Sequence, residues 1–159
     1  MVPRFVADSM VGRLAKWLRA FGFDVVYQPF AEDDELVNWA RQREAILVTR
    51  DTGLARVPGV RVIFIKDDGL EEQLRQVVRE GPLDLSAARP LSRCIVCNEG
   101  LLTVTRDKVR DQVPPYVYAK HRWYARCPGC GRTYWQGTHV PRIRERLARL
   151  ARETGEREQ

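Results

Sequence analysis

The segment Ile46-Leu47-Val48-Thr49-Arg50-Asp51 constrains the fold more than any other stretch of the chain. Three apolar residues in a row give way to Thr-Arg-Asp, and Thr52-Gly53 follows. A short apolar run bounded by turn residues reads as a fully buried strand of a parallel sheet. Its polar end delivers Asp51 to the carboxyl edge of that sheet, where open α/β folds bind ligands. The chain opens in the same way: Arg4-Phe5-Val6-Ala7 stops at Asp8, and Asp8-Ser9 supplies side chains that can cap a helix. Met10, Leu14, Trp17, Leu18 and Phe21 then recur at helical spacing until Gly22.

The alternation continues. Asp24-Val25-Val26-Tyr27 reads as a second strand, with a turn at Pro29. Glu32-Asp33-Asp34-Glu35 heads a helix carrying Leu36, Val37, Trp39 and Ala40. The third strand is 45–48 and the fourth is 60–65, entered through Pro58-Gly59 and left through Lys66-Asp67-Asp68-Gly69. A helix with Leu70, Leu74, Val77 and Val78 closes near Gly81-Pro82. The order β-α-β-α-β-β-α implies an α/β fold, a mostly parallel sheet flanked by helices. Residues 83–90 read as a linker. Short strands, prolines, glycines and paired cysteines follow, and a helix with Ile143, Leu147 and Leu150 set among arginines begins at Pro141. The expected units are 1–85, a small cysteine-bearing domain over 91–140, and a basic helix and tail over 141–159, the tail fraying from Glu153 to Gln159.

The 159 residues are 44% hydrophobic and 30% charged, a soluble globular composition. No apolar run approaches the roughly 20 residues of a membrane span. No export signal opens the chain, so the expected compartment is the cytoplasm. The net charge of +6 is unevenly spread: residues 1–90 carry −1 and residues 91–159 carry +7. A basic half of this kind suits a polyanion such as RNA, and equally suits a solvated basic face.

Asp8, Asp51 and Asp67 or Asp68 sit at strand ends, and Asp33 and Asp34 at a helix start. Each has a structural role open to it: a cap for Asp8, dipole compensation for Asp33 and Asp34, a turn for Asp51. Gathered at one sheet edge they would repel one another, and a hard divalent ion, Mg²⁺ or Mn²⁺, is the usual relief. Such an ion activates water and offsets charge on a phosphate. Only His121 and His139 are present, both in the second half, so no Ser–His–Asp arrangement competes.

All four cysteines fall in the second half as Cys94-x-x-Cys97 and Cys127-x-x-Cys130, with 29 residues between the pairs. In a chain without export features this spacing points to one structural Zn²⁺ held by four thiolates, with a β-hairpin in the spacer. Gly129 and Gly131 suit the tight turns such a site needs. Redox-active or inert buried thiols are the alternatives, and neither histidine is required as a ligand. Aromatic and basic residues interleave here, from Tyr116, Tyr118, Lys120, His121, Arg122, Trp123, Tyr124 and Arg126 to Arg132, Tyr134 and Trp135. That pattern suits base stacking beside phosphate contacts, although some of these rings must fill a small core. The arginine-rich terminal helix either extends that contact or docks on the first domain through Ile143, Leu147 and Leu150.

Taken together, the run from Phe5 to Arg19 (with Asp8-Ser9-Met10-Val11-Gly12-Arg13), Phe21-Gly22-Phe23-Asp24, Asp33-Asp34-Glu35-Leu36 and Leu47-Val48-Thr49-Arg50-Asp51 resembles the Mut-seven C-terminal RNase family. Arg93-Cys94-x-x-Cys97-Asn98 and the stretch Cys127-Pro128-Gly129-Cys130 through His139 extend the resemblance over nearly the whole chain. It implies a PIN-like domain followed by a zinc ribbon, and hydrolysis of RNA at acidic residues holding Mg²⁺ or Mn²⁺. By this resemblance Asp8, Asp34 and Asp51 are the catalytic and metal-holding acids. Asp33 is a substitute for Asp34, and Asp67 or Asp68 is a looser counterpart of a fourth acid. On this reading Arg13, Lys16 and Arg50 steer the RNA backbone near the acids. Lys120, Arg122, Arg132 and Trp135 contact RNA from the ribbon, whose zinc ligands are Cys94, Cys97, Cys127 and Cys130. The alternatives are a non-catalytic RNA-binding or complex-assembly module with a degenerate acidic pocket, and a toxin-like nuclease held by an inhibitor protein.

Overall fold

In a computed structural model, residues 2–81 and 83–155 are described. Pro82 and residues 156–159, which include most of the expected frayed tail, lie outside them. Strands β1 (Phe5–Ala7), β2 (Val25–Tyr27), β3 (Ile46–Thr49) and β4 (Val62–Phe64) form a parallel sheet in the order β2-β1-β3-β4. Every residue of β1 and β3 is buried, which is why both read as unbroken apolar runs. Side chains alternate between the two faces. Phe5, Ala7, Ile46 and Val48 join one core with Leu14, Leu18, Leu74 and Val77, whereas Val6 and Leu47 join Leu36 and Ala40 in a second. Helices α1 (Gly12–Ala20) and α3 (Leu70–Glu80) therefore cover one face and α2 (Asp33–Arg43) the other.

Strands β3 and β4 are parallel neighbours, yet only a single 3-10 turn, Thr52–Leu54, lies between them. The expected linker is pinned to the first core. Leu83 is buried in it, Leu85 and Ala88 pack on it, and the Arg89 N–H donates to the Phe21 carbonyl at 2.7 Å. At Gly22, with φ +100, an added Cβ would come within 2.5 Å of the Arg89 carbonyl. No other residue type fits there.

The cysteine-bearing part holds a separate antiparallel sheet, β5 (Leu102–Val104), β6 (Tyr124–Arg126) and β7 (Thr133–Trp135), in that order. The hairpin expected inside the spacer is more elaborate. Between β5 and β6 the chain makes a 3-10 turn and the short helix α4 (Pro115–Lys120), and the tight hairpin is β6–β7 with the second cysteine pair at its tip. Val109, Val113, Val117 and Tyr124 are its small core. Helix α5 (His139–Gly155) then returns to the first core, where Ile143 and Leu150 are buried and Leu147 packs against them. Three ion pairs hold it to α3: Arg75–Glu153 at 2.7 Å, Arg146–Glu71 at 3.0 Å and Arg149–Glu71 at 2.9 Å. The arginine-rich helix thus spends its apolar stripe, and part of its charge, on the fold. No helix among the described residues is long and apolar enough to cross a membrane.

Candidate active site and metal centre

The chain leaves β1 for β2 on one side and re-enters at β3 on the other, so the strand order switches between β1 and β3. Ligands of open α/β sheets bind at the carboxyl end of such a switch. Asp8 follows β1 and Asp51 follows β3 there, while α2 begins beyond the end of β2. Asp8 is only 4% exposed. Its Oδ1 accepts from the Met10 N–H at 2.8 Å, and its Oδ2 accepts from the Thr49 hydroxyl and from the Arg50 N–H at 3.1 Å. The Asp51 N–H donates to the same Thr49 hydroxyl at 2.9 Å, linking the two acidic loops. Three of the roughly four lone-pair positions of the Asp8 carboxylate are thereby taken and one is left. Asp51 caps the turn after β3, accepting from the Gly53 N–H at 2.8 Å.

The four acids at the head of α2 divide by role. Glu32 and Glu35 form a capping box and serve the helix itself. Asp33 is exposed, and partial desolvation, then the charges of Asp51, Asp8, Glu32 and Asp34, raise its carboxyl above the ordinary value. Asp34, one residue on, lies about 100° round the helix axis. Asp33, the substitute in the sequence reading, thus lies within the electrostatic reach of Asp8 and Asp51. Asp68 is 91% exposed and pairs with Arg50, so that carboxylate and that guanidinium engage each other. Asp67 is exposed, and its backbone carbonyl accepts from Gln73 at 2.9 Å. Arg13 and Lys16 are exposed on α1, and Met10 and Phe30, 61% and 95% exposed, stand on the loops after β1 and β2.

The thiols are closer together than the carboxylates. Among the described residues, the one group of three or more Cys, His, Asp or Glu ligand atoms mutually within 4.8 Å is Cys94, Cys97, Cys127 and Cys130. Both turns are built alike. The Cys94 N–H donates to the Glu99 carbonyl at 2.8 Å and the Asn98 N–H to the Cys94 carbonyl at 3.0 Å; in the second turn Cys127–Arg132 and Gly131–Cys127 repeat these bonds, each at 2.9 Å. Asn98 and Gly131 hold the left-handed conformation this requires, at φ 73 and φ 78. Sulfur separations of 3.7 Å for Cys94–Cys130 and 3.1 Å for Cys97–Cys127 approach the roughly 3.8 Å edge of a tetrahedron with Zn–S bonds of about 2.3 Å. Burial raises the Cys94 thiol, but hydrogen bonds from Tyr134, from the Cys97 and Val96 backbone and from Cys130 outweigh it and bring it down to about 6. The Glu99 backbone favours the Cys97 thiolate, yet sharing with Cys127 and burial push it up to about 12. Four thiols this close cannot all ionise unless a cation joins them, and the donor set could hold a zinc ion.

Two residues that tie the centre to the sheet escape a reading of the sequence. Arg19 is 4% exposed, and its guanidinium donates to the carbonyls of Val25 at 2.9 Å, Ile95 at 3.0 Å and Val96 at 3.1 Å. Burial lowers its pKa, opposed by the charges of Cys94, Cys97 and Asp24. The Asn98 side chain accepts from the Val25 N–H at 2.9 Å and donates to Asp24 at 2.7 Å. The first cysteine turn thus occupies the free edge of β2. The one sign of Arg19 in the sequence is its place four residues after the buried Ala15.

The residues expected to meet RNA divide as well. Lys120, Arg122 and Arg132 are exposed, while Trp135 is half-buried against the small core. Tyr124 is fully buried, its hydroxyl donating to the Val117 or His121 carbonyl at 3.0 Å, and Tyr134 reaches the Cys94 sulfur at 3.0 Å. A family model described as the Mut7-C RNAse domain matches residues 3–147, which takes in the acidic edge, all four cysteines and the start of α5. No curated protein and no solved structure gives a significant match. A family match over most of the chain, with the acidic edge and the four-cysteine centre both inside it, means that this protein belongs to the Mut7-C RNAse domain family.

Proposed function

We propose that the protein is a divalent-metal-dependent ribonuclease whose acidic edge hydrolyses RNA phosphodiester bonds and whose zinc ribbon aids RNA binding. The observation that carries this reading is the placement of Asp8 after β1 and Asp51 after β3 at the switch point of the sheet, with the acids of α2 beginning beyond the end of β2. These oxygen donors suit Mg²⁺ or Mn²⁺, and Asp8, Asp51 and Asp33, in preference to Asp34, would hold it. When bound, such an ion lowers the pKa of water and offsets the charge that develops on the phosphoryl group. The remaining tasks fall to the chain. Thr49 and the Arg50 N–H fix the rotamer of Asp8, and Arg13 and Lys16 on α1 offer charge to flanking phosphates. The exposed ring of Phe30 and thioether of Met10 offer apolar contact to unpaired bases. The ribbon supplies Lys120, Arg122 and Arg132 and no chemistry.

A second reading, a non-catalytic RNA-binding module, is favoured by one fact: the carboxylates do not close to the mutual separation that the thiols reach. Cleavage of single-stranded and structured RNAs with Mn²⁺, compared with the Asp8→Asn/Asp51→Asn variant, separates the two. The ribonuclease reading expects a loss on the order of 10²-fold or more. Equal rates in the two proteins, with salt-dependent binding that needs no divalent ion, leave only the binding module.

A further inference from the structure

Where α1, the first cysteine turn and the start of α5 meet, the surface encloses a cavity of about 300 Å³. Trp17, Ile95 and Ile143 give it an apolar lining, and Lys16, His139 and Arg142 stand on it with no carboxylate among its walls. None of these three basic side chains makes an ion pair or a side-chain hydrogen bond among the described residues. Arg75, Arg146 and Arg149, by contrast, are paired with carboxylates where α5 meets α3.

We propose that this cavity is a subsite for one nucleotide of single-stranded RNA, with the base against Ile95, Ile143 and the side of Trp17 that the Arg146 guanidinium, 4.1 Å from the ring centroid, leaves open, and the phosphates on Lys16, His139 and Arg142. An apolar floor alone would suit many small ligands, and basic groups alone would suit any anion. A flat apolar body joined to a phosphate diester satisfies both. The volume lies at the bottom of the small-ligand range, enough for a base and too small for a folded segment. An unpaired base is required, because in duplex RNA the faces of the bases are stacked on their neighbours and cannot lie against an apolar wall. The place fits a substrate that continues from the acidic edge. Helix α1 starts at Gly12, just after Asp8, and Lys16 is four residues further, about 6 Å along the helix axis. Ile95 lies between Cys94 and Cys97, so the zinc centre shapes one wall. The proposal rests on RNA being the substrate of the acidic edge.

The test is fluorescence anisotropy of a labelled 15-residue oligouridine with the full zinc-loaded chain and no added Mg²⁺ or Mn²⁺. Arg142→Glu should weaken binding on the order of tenfold and lower the log–log salt slope by about 0.7 for each phosphate it ceases to neutralise. Arg43→Glu, at the end of α2 on the opposite face of the sheet, should stay within about twofold of the parent. An abasic oligomer of equal length should bind the parent protein more weakly, and Ile95→Ala should narrow that preference. If circular dichroism shows Arg142→Glu misfolded, Arg142→Gln decides by the same ranking. Equal losses for Arg142→Glu and Arg43→Glu, or no preference for bases over the abasic chain, would overturn the subsite. So would Arg142-dependent binding of phosphatidylserine vesicles in place of RNA. The readout is independent of catalysis: an Arg142-dependent interaction in a protein that never cleaves RNA keeps the subsite and removes the hydrolase, and cleavage without Arg142 dependence does the reverse.

Discussion

Asp33 and Asp34 are adjacent in the chain, and a sequence cannot rank them, because one step along a helix turns a side chain by about 100°. Asp33 carries the imprint of Asp8 and Asp51. Asp33→Asn should therefore cut Mn²⁺-dependent cleavage on the order of 10²-fold, and Asp34→Asn should stay within a few-fold. A pH prediction follows from the same repulsion. A carboxyl whose folded pKa is raised destabilises the folded state above that pKa, and the penalty disappears below the unfolded value near 3.8. Without divalent ions, Asp33→Asn should melt above the parent at pH 7, and the difference should vanish as pH falls toward 3; calorimetry across that window checks it. Arg19 is the residue whose loss should harm the fold most directly. Arg19→Met leaves the carbonyls of Val25, Ile95 and Val96 without their donor and should cost about 2–4 kcal/mol in urea unfolding.

At the scale of elements, the first cysteine turn and α5 both act on the parallel sheet. The Asn98 side chain covers the Val25 amide, so collapse of the first cysteine turn should expose the edge of β2. Chelation of zinc should accordingly lower the melting temperature and abolish hydrogen-exchange protection at the Val25 amide. Protection that survives chelation would show that the turn holds its shape without metal. Helix α5 was legible as an amphipathic helix from Ile143, Leu147 and Leu150, with docking on the first domain as one of two readings. The other was that its arginines extend the RNA contact. Its fully buried Leu150 decides the matter, and Leu150→Ala should cost about 2–5 kcal/mol. Strands β1 and β3 were legible almost to the residue, because a strand buried on both faces leaves no polar alternation to confuse it. The 105–123 excursion was not, since its short helices and turns depend on packing of Val109, Val113 and Val117 against Tyr124 of β6, which local periodicity does not record.

In the whole molecule, the sequence alone determined which chemistry is available. Buried strands must be apolar, acids that end them must reach a sheet edge, and two Cys-x-x-Cys turns supply four sulfur donors. These are local rules, and they hold wherever the chain goes next. Tertiary structure decided how the parts are shared. It brought Asp33 into the field of Asp8 and Asp51, paired Asp68 with Arg50, and buried Arg19 between a strand edge and a cysteine turn. It also laid α5 back across α3, bringing Lys16, His139 and Arg142 around one cavity. Such pairings depend on distances between residues as far apart in the chain as Arg19 and Val96, and periodicity carries no record of those distances.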